Sequence, residues 1–222
     1  MKIGFFGGSF DPPHRGHIAL ARLAMERLGL DRVLLAPVGV QPLKRDRPRA
    51  GFGHRVAMTR LAIEGEPGLD ISLVDAPHPD NRPNYTLDTI RALRASLEGE
   101  NRIYFVMGAD SFLTIGQWHR AADLLFACDM VVAARPGFDL DRLTAALPEG
   151  VTAERTGPDV LTLHNGAGRT SHLYLLPDLA ERASATEIRD ALERREAVRA
   201  MLDPRVEAYI REHDLYGKRA PA

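Results

Sequence analysis

Apolar residues along this chain fall into two alternating spacings. Short, nearly continuous apolar runs at 3–6, 32–36, 70–73, 102–107 and 130–134 read as strands buried on both faces. Between them, residues 17–28, 52–63, 86–97 and 121–127 carry helical spacing; Leu87, Ile90, Leu93 and Leu97 would share one face. Pro37, Gly108 and Pro136 punctuate the strand ends. Strands alternating with helices predict an α/β fold, a doubly wound parallel sheet of Rossmann-like form covered on both faces.

The pattern weakens after residue 137. A helix is expected over 140–147 and a strand over 160–163. Asn165-Gly166-Ala167-Gly168 is a turn signal, and 172–176 reads as the last strand. Helices over 185–194 and 203–213 close the pattern. Residues 139–169 carry no recognisable motif and read as an excursion from it. No repeat, low-complexity tract or linker interrupts the chain, so residues 1–217 are expected to form one domain, with 218–222 as a frayed tail.

Composition narrows the function classes. A chain of 222 residues, 45% hydrophobic and 27% charged, can build a real core. Its formal net charge of -1 supplies no global field for nucleic acid or membrane, so positive potential for phosphates must be local. Cys128, the only cysteine, lies in an apolar run and reads as a core residue. The first apolar run reaches Asp11 quickly, unlike a signal peptide, and no segment suits a membrane span. A cytoplasmic enzyme is the expectation; a homo-oligomer is compatible with it.

Candidate chemistry concentrates after the first strand, in Gly7-Gly8-Ser9-Phe10-Asp11-Pro12-Pro13-His14-Arg15-Gly16-His17. Strand, glycine turn, two imidazoles and helix follow in that order. Backbone N–H groups at a helix start bind anions, and glycines let a ligand approach closely. His14 and His17, three residues apart, could share the first turn's face and hydrogen-bond a polyphosphate. The plainer alternative is a connection with Asp11 as turn or cap former and two surface histidines. Two histidines at this spacing do not complete a zinc ligand set.

This segment resembles the signature of the nucleotidyltransferases that share a HIGH-type motif with class I aminoacyl-tRNA synthetases. The resemblance implies attack by an acceptor phosphate on the α-phosphate of a nucleoside triphosphate, with release of pyrophosphate. Ser184-Ala185-Thr186-Glu187-Ile188-Arg189 has the spacing of a capping box, Ser184 with Glu187. It also resembles the family's S-x-T-x-I-R signature, which implies that Ser184, Thr186 and Arg189 grip the triphosphate opposite the histidines. Gly108-Ala109-Asp110 ends the most apolar strand; Asp110 could accept from ribose hydroxyls or cap the next helix.

Pro83-Asn84-Tyr85-Thr86-Leu87-Asp88-Thr89 reads locally as a helix start. With Gly108-Ala109-Asp110 and the downstream Trp118, it resembles bacterial nicotinate-nucleotide adenylyltransferases. That resemblance implies that Tyr85, Thr86 and Trp118 hold the pyridine ring and carboxylate of nicotinate mononucleotide, with Arg135 a further acceptor contact. Many members carry Ser at the position of Asn84. It also implies ATP contacts from Gly7, Gly8, Ser9, Phe10, Lys44, Gly108 and Asp110, catalytic roles for His14, His17 and Arg189, and Mg²⁺ carried mainly by ATP phosphates. Pro37-Val38-Gly39-Val40 before Lys44 departs from the Asn-containing version of the family. Acceptors left open are nicotinamide mononucleotide and phosphopantetheine. A non-catalytic nucleotide sensor and a tRNA-binding enzyme fit the intact motif and the short, near-neutral chain less well.

Overall fold

The computed structural model describes residues 1–43, 48–134, 138, 141–177, 179 and 183–217. Lys44, Arg135 and the tail 218–222 lie outside the described residues.

Among the described residues, eight strands form one sheet: β1 (Lys2–Gly8), β2 (Arg32–Pro37), β3 (Leu69–Ile71), β4 (Arg102–Gly108), β5 (Asp129–Ala133), β6 (Val151–Gly157), β7 (Val160–Asn165) and β8 (Thr170–Leu176). Their order is β3-β2-β1-β4-β5-β8-β7-β6. From β3 through β8 every neighbouring pair is parallel. The winding runs outward from β1 through β2 to β3, then restarts with β4 on the other side of β1. The crevice beyond the carboxyl ends of β1 and β4 is therefore the topological switch point, where open α/β sheets bind ligands.

The helices are α1 (Arg15–Leu28), α2 (Phe52–Ile63), α3 (Thr86–Ser96), α4 (Ala109–Phe112), α5 (Ala121–Leu125), α6 (Asp141–Ala145), α7 (Ala185–Glu193) and α8 (Pro204–Glu212). The two-residue period of the strands sorts the core. Ile3, Phe5, Ile103, Phe105 and Met107 face one side, with Leu87, Ile90 and Leu93 of α3 and Phe112 of α4. Phe6, Tyr104 and Val106 face the other, under Leu20, Ala21 and Ala24 of α1. A third cluster joins Met58 and Ala62 of α2 to Ile188 of α7 and Val206 and Ile210 of α8. The ends follow local chemistry. Gly29 caps α1 at φ 59, a left-handed conformation in which a Cβ would be strained. Asp203 caps α8 by accepting from the Arg205 amide, with Pro204 in the first turn.

The expected parallel sheet stands from β3 through β8, and beyond β8 it carries a hairpin. β7 pairs antiparallel with β8, and β6 antiparallel with β7. The unrecognised segment thus extends the parallel sheet by a hairpin, and the Asn165–Gly168 turn links β7 to β8. β6 escapes a reading by hydrophobicity because it is a polar edge strand, with Glu154, Arg155 and Thr156 exposed.

Leu163 of β7 is fully buried in the same cluster as Phe5 and Phe105. Leu163→Ala should therefore cost about 2–5 kcal/mol and lower the midpoint of one cooperative urea transition. A separate early transition, or a change below about 1 kcal/mol, would show that the hairpin is not part of that core.

Candidate active site

The chain leaves β1 through Gly7 and Gly8 and reaches α1 by a turn that the tertiary structure holds from several sides. Phe10 sits at φ 47, a left-handed conformation unusual for a bulky residue. Its ring is buried, packing edge-on against Phe6 at 5.4 Å and against His17 at 4.9 Å. Phe10 thus backs an imidazole with its side chain, and only its backbone is left to face a ligand. Arg55 of α2, 2% exposed, donates to Ser9 O at 2.7 Å and Val38 O at 2.8 Å. Burial pushes its guanidinium below its ordinary pKa; the Asp11 carboxylate partly offsets that.

Asp11 is a keystone of the turn, and the plainer alternative, a local turn or cap former, does not describe it. Its carboxylate is buried and accepts from the amides of Arg49 (2.8 Å) and Ala50 (3.0 Å) and from Tyr216 Oη (2.7 Å). Its main-chain carbonyl accepts from Arg189 Nη1 at 2.8 Å. Arg189 Nη2 also donates to Thr186 Oγ1 at 3.1 Å. The two candidate phosphate motifs, far apart in sequence, are thereby joined. Ser184 is the N-cap of α7, but its side chain makes no capping hydrogen bond, so the expected capping box does not form.

His14 caps α1 and His17 is its third residue. Their rings stack with centroids 3.6 Å apart and planes 28° apart. His17 Nδ1 accepts from the His14 amide at 3.1 Å, which assigns the ring proton of neutral His17 to Nε2. His14 is buried, its Nδ1 has no partner, and desolvation lowers its pKa from 6.5 to about 4. The first turn of α1 carries no acidic residue. A buried imidazole whose Nδ1 has no partner, at the positive end of a 14-residue helix, suits an anion.

The remaining candidate residues lie from the end of β4 onward and at the start of α3. Gly108 ends β4 and caps α4; Asp110 stands exposed in the first turn of α4. Tyr85 caps α3 without a side-chain capping bond, so the N–H groups beginning at Thr86 are not covered by one. The Tyr85 ring packs on His119 with centroids 4.2 Å apart. Trp118 is half-buried against the core; its indole donates to Thr114 Oγ1 at 3.1 Å and lies 6.1 Å from the Phe105 ring. Ser9 Oγ donates to Gln41 Oε1 at 3.1 Å. Sequence reasoning missed Arg55, Gln41, His119 and Tyr216. Arg55 left a signal: it shares the core-facing stripe of α2 with Met58 and Ala62, where an arginine needs a reason.

Among the described residues no group of three or more His, Cys, Asp or Glu could hold a metal ion. No helix among them is long and apolar enough to cross a membrane.

A doubly wound sheet with stacked imidazoles and a motif-bridging arginine at its switch point defines a nucleotidyltransferase framework. Residues 5–191 match the family model described as cytidylyltransferase-like. A Pelobacter propionicus protein named "Probable nicotinate-nucleotide adenylyltransferase" is 36% identical over 98% of this chain and 99% of its own length. One of the same name from Laribacter hongkongensis is 40% identical over 100% of this chain and 97% of its own. The Plasmodium falciparum nicotinic acid mononucleotide adenylyltransferase complexed with NaAD has the same fold, with a TM-score of 0.70 at 17% identity over 97% of both chains. The chain belongs to the cytidylyltransferase-like family and, within it, to the nicotinate-nucleotide adenylyltransferases.

Tyr216→Phe removes one donor to a buried carboxylate and should lower unfolding free energy by about 1.5–3 kcal/mol. A urea-measured loss under about 0.5 kcal/mol would refute the keystone role of Asp11 for the C-terminal segment. Two opposed pH effects are also expected. Folding holds His14 neutral, so its contribution is full above pH 6.5 and is lost as pH falls toward 4. Burial raises Asp75 from 3.8 to about 6, so its contribution falls as pH rises from 4 through 6. Relative to wild type, His14→Gln should gain stability as pH falls from 6.5 to 4. Asp75→Asn should gain as pH rises over about the same range. Denaturant midpoints between pH 4 and 7 that run parallel for all three proteins would contradict both signs.

Proposed function

We propose that this chain transfers AMP from ATP to nicotinate mononucleotide, giving nicotinate adenine dinucleotide and pyrophosphate for NAD synthesis in the cytoplasm. The observation that carries the reading is the stacked His14–His17 pair at the start of α1, with its unpartnered buried nitrogen. The relatives' names supply the acceptor.

A mononucleotide phosphate oxygen attacks the α-phosphorus of ATP. The bond from that phosphorus to the bridging oxygen breaks, and pyrophosphate leaves with the electron pair. The nucleophile is already anionic, so neither a general base nor a covalent enzyme intermediate is required. Catalysis is positioning and charge stabilisation. His17 donates from Nε2 toward the α-phosphate and the leaving group, and His14 lies against it as a second donor. An anion at His14 favours its protonated form, opposing the burial that keeps it neutral. Arg189, Ser184 and Thr186 hold the β- and γ-phosphates; Arg189 gives one nitrogen to Asp11 O and keeps donors to spare. Gly7, Gly8, Ser9 and the Phe10 backbone line the phosphate turn, while Gly108 and Asp110 meet the nucleoside. Lys44 and Arg135 keep the roles the resemblance implies. Mg²⁺ enters as part of the MgATP substrate, shielding the triphosphate.

On the acceptor side, free N–H groups at Thr86 suit the pyridine carboxylate, and Tyr85 and Trp118 offer aromatic faces to the ring.

His17→Ala should lower kcat by about 10²–10³-fold while circular dichroism stays native. The assay is pyrophosphate release from MgATP with nicotinate mononucleotide, nicotinamide mononucleotide and phosphopantetheine in parallel. Near-normal turnover in the variant would remove His17 from the transition state. Preference for another acceptor would overturn the reading of the Tyr85–Trp118 side.

A further inference from the structure

Asn84 is 5% exposed and meets hydrogen-bonding partners on two other segments. Its Oδ1 accepts from the Val40 amide at 2.9 Å. Its Nδ2 donates to Asp75 O at 3.1 Å and Ala76 O at 2.9 Å. Its own amide donates to Val40 O at 2.9 Å. Below it, Thr89 of α3 donates to the Asp75 carboxylate at 2.7 Å. One residue therefore fastens the exit loop of β2 and the segment after β3 to the residue that caps α3.

That exit loop also touches the phosphate side. Val38 donates to Gly8 O at 2.9 Å, Val38 O accepts from Arg55, and Gln41 accepts from Ser9. Packing at the joint is tight. A Cβ on Gly39 would lie 2.5 Å from the Pro77 backbone and 2.8 Å from Asn84 Oδ1, closer than real side chains come. The joint has no slack, so a change at Asn84 must be taken up by moving the loop or the start of α3.

We propose that Asn84 is a positioning residue for the acceptor: its amide holds the Val38–Gln41 loop against the start of α3 and so sets the cleft at Tyr85 and Thr86. This rests on the functional reading above. Asn84 touches no reacting atom. Its effect falls on acceptor binding because Tyr85 is its immediate neighbour. The phosphate turn shares that loop but has further anchors of its own at Asp11, Arg55 and Arg189, so ATP binding is affected less.

The test is steady-state pyrophosphate release with each substrate varied in turn. Wild-type turnover comes first: no turnover with nicotinate mononucleotide overturns the functional reading itself. Given turnover, Asn84→Ala should raise the acceptor KM at least about tenfold, with the ATP KM within about threefold of wild type. Gly39→Ala, which forces the joint apart from the loop side, should show the same split. Thr89→Val removes the bonds to the Asp75 carboxylate and to Tyr85 O but leaves every bond of Asn84 and the backbone bonds from Asp88 and Thr89 to Tyr85 O, so it should lower Tm with both KM values within about twofold of wild type. A folded Asn84→Ala protein whose acceptor KM stays within about twofold overturns the proposal, as does an equal rise in both KM values. Should Asn84→Ala fail to fold, Asn84→Asp decides. It keeps the bond from Val40 and loses both donations, and an acceptor KM within about twofold of wild type overturns the proposal.

Discussion

Everything at the switch point depends on where the chain turns after β1, and that turn is held by the buried carboxylate of Asp11. A buried carboxylate is costly unless its oxygens are satisfied, so the fold must bring donors to it. They come from the loop before α2 and from Tyr216 near the end of the described chain. The carbonyl of the same residue recruits Arg189 from α7. One residue in a glycine turn thus requires α2, α7 and the C-terminal segment to be in place before the histidines are correctly presented. With Arg55 at Ser9 O, these bonds stabilise the left-handed backbone of Phe10 and seat its ring behind His17.

The proposed acceptor side uses the same device with a neutral group. Asn84 can donate and accept at once, so a single buried amide closes the bonding of three loop segments. The two sides meet in the Val38–Gln41 loop, which is bonded to Gly8 and Ser9 on one flank and Asn84 on the other. A reaction that needs in-line approach of two anionic substrates depends on such rigidity, because small misplacements are costly in rate. Each candidate side pairs a helix start with a buried polar residue that fixes the approach of the chain, Asp11 on one and Asn84 on the other, an arrangement suited to catalysis by positioning.

Most of the fold was legible because strands buried on both faces and helices with one apolar stripe leave strong periodic signals. β1, β4 and β5 were readable to within a residue or two. β6 was not, since an edge strand with Glu154 and Arg155 in solvent has little apolar pattern. The antiparallel hairpin of β6 and β7 was not legible at the same place: pairing direction is a property of the turns and the neighbouring strand. In the candidate site, His14, His17 and Arg189 were singled out from local motifs. His119 and Tyr216 carry no motif, and their importance arises from partners distant along the chain. Ser184 and Glu187 have the spacing of a capping box, but the Ser184 side chain makes no capping bond.

The sequence by itself determined the α/β class, the order of the elements, and the chemical types at the two helix starts, because periodicity and helix-start chemistry act over a few residues. The tertiary structure alone decided which groups meet. It stacked the two imidazoles, turned Asp11 inward, brought Arg189 to the first motif and fastened the β2 loop through Asn84. Those outcomes depend on burial, which raises the cost of every unpaired polar atom and so selects the one arrangement of distant segments that satisfies nearly all of them.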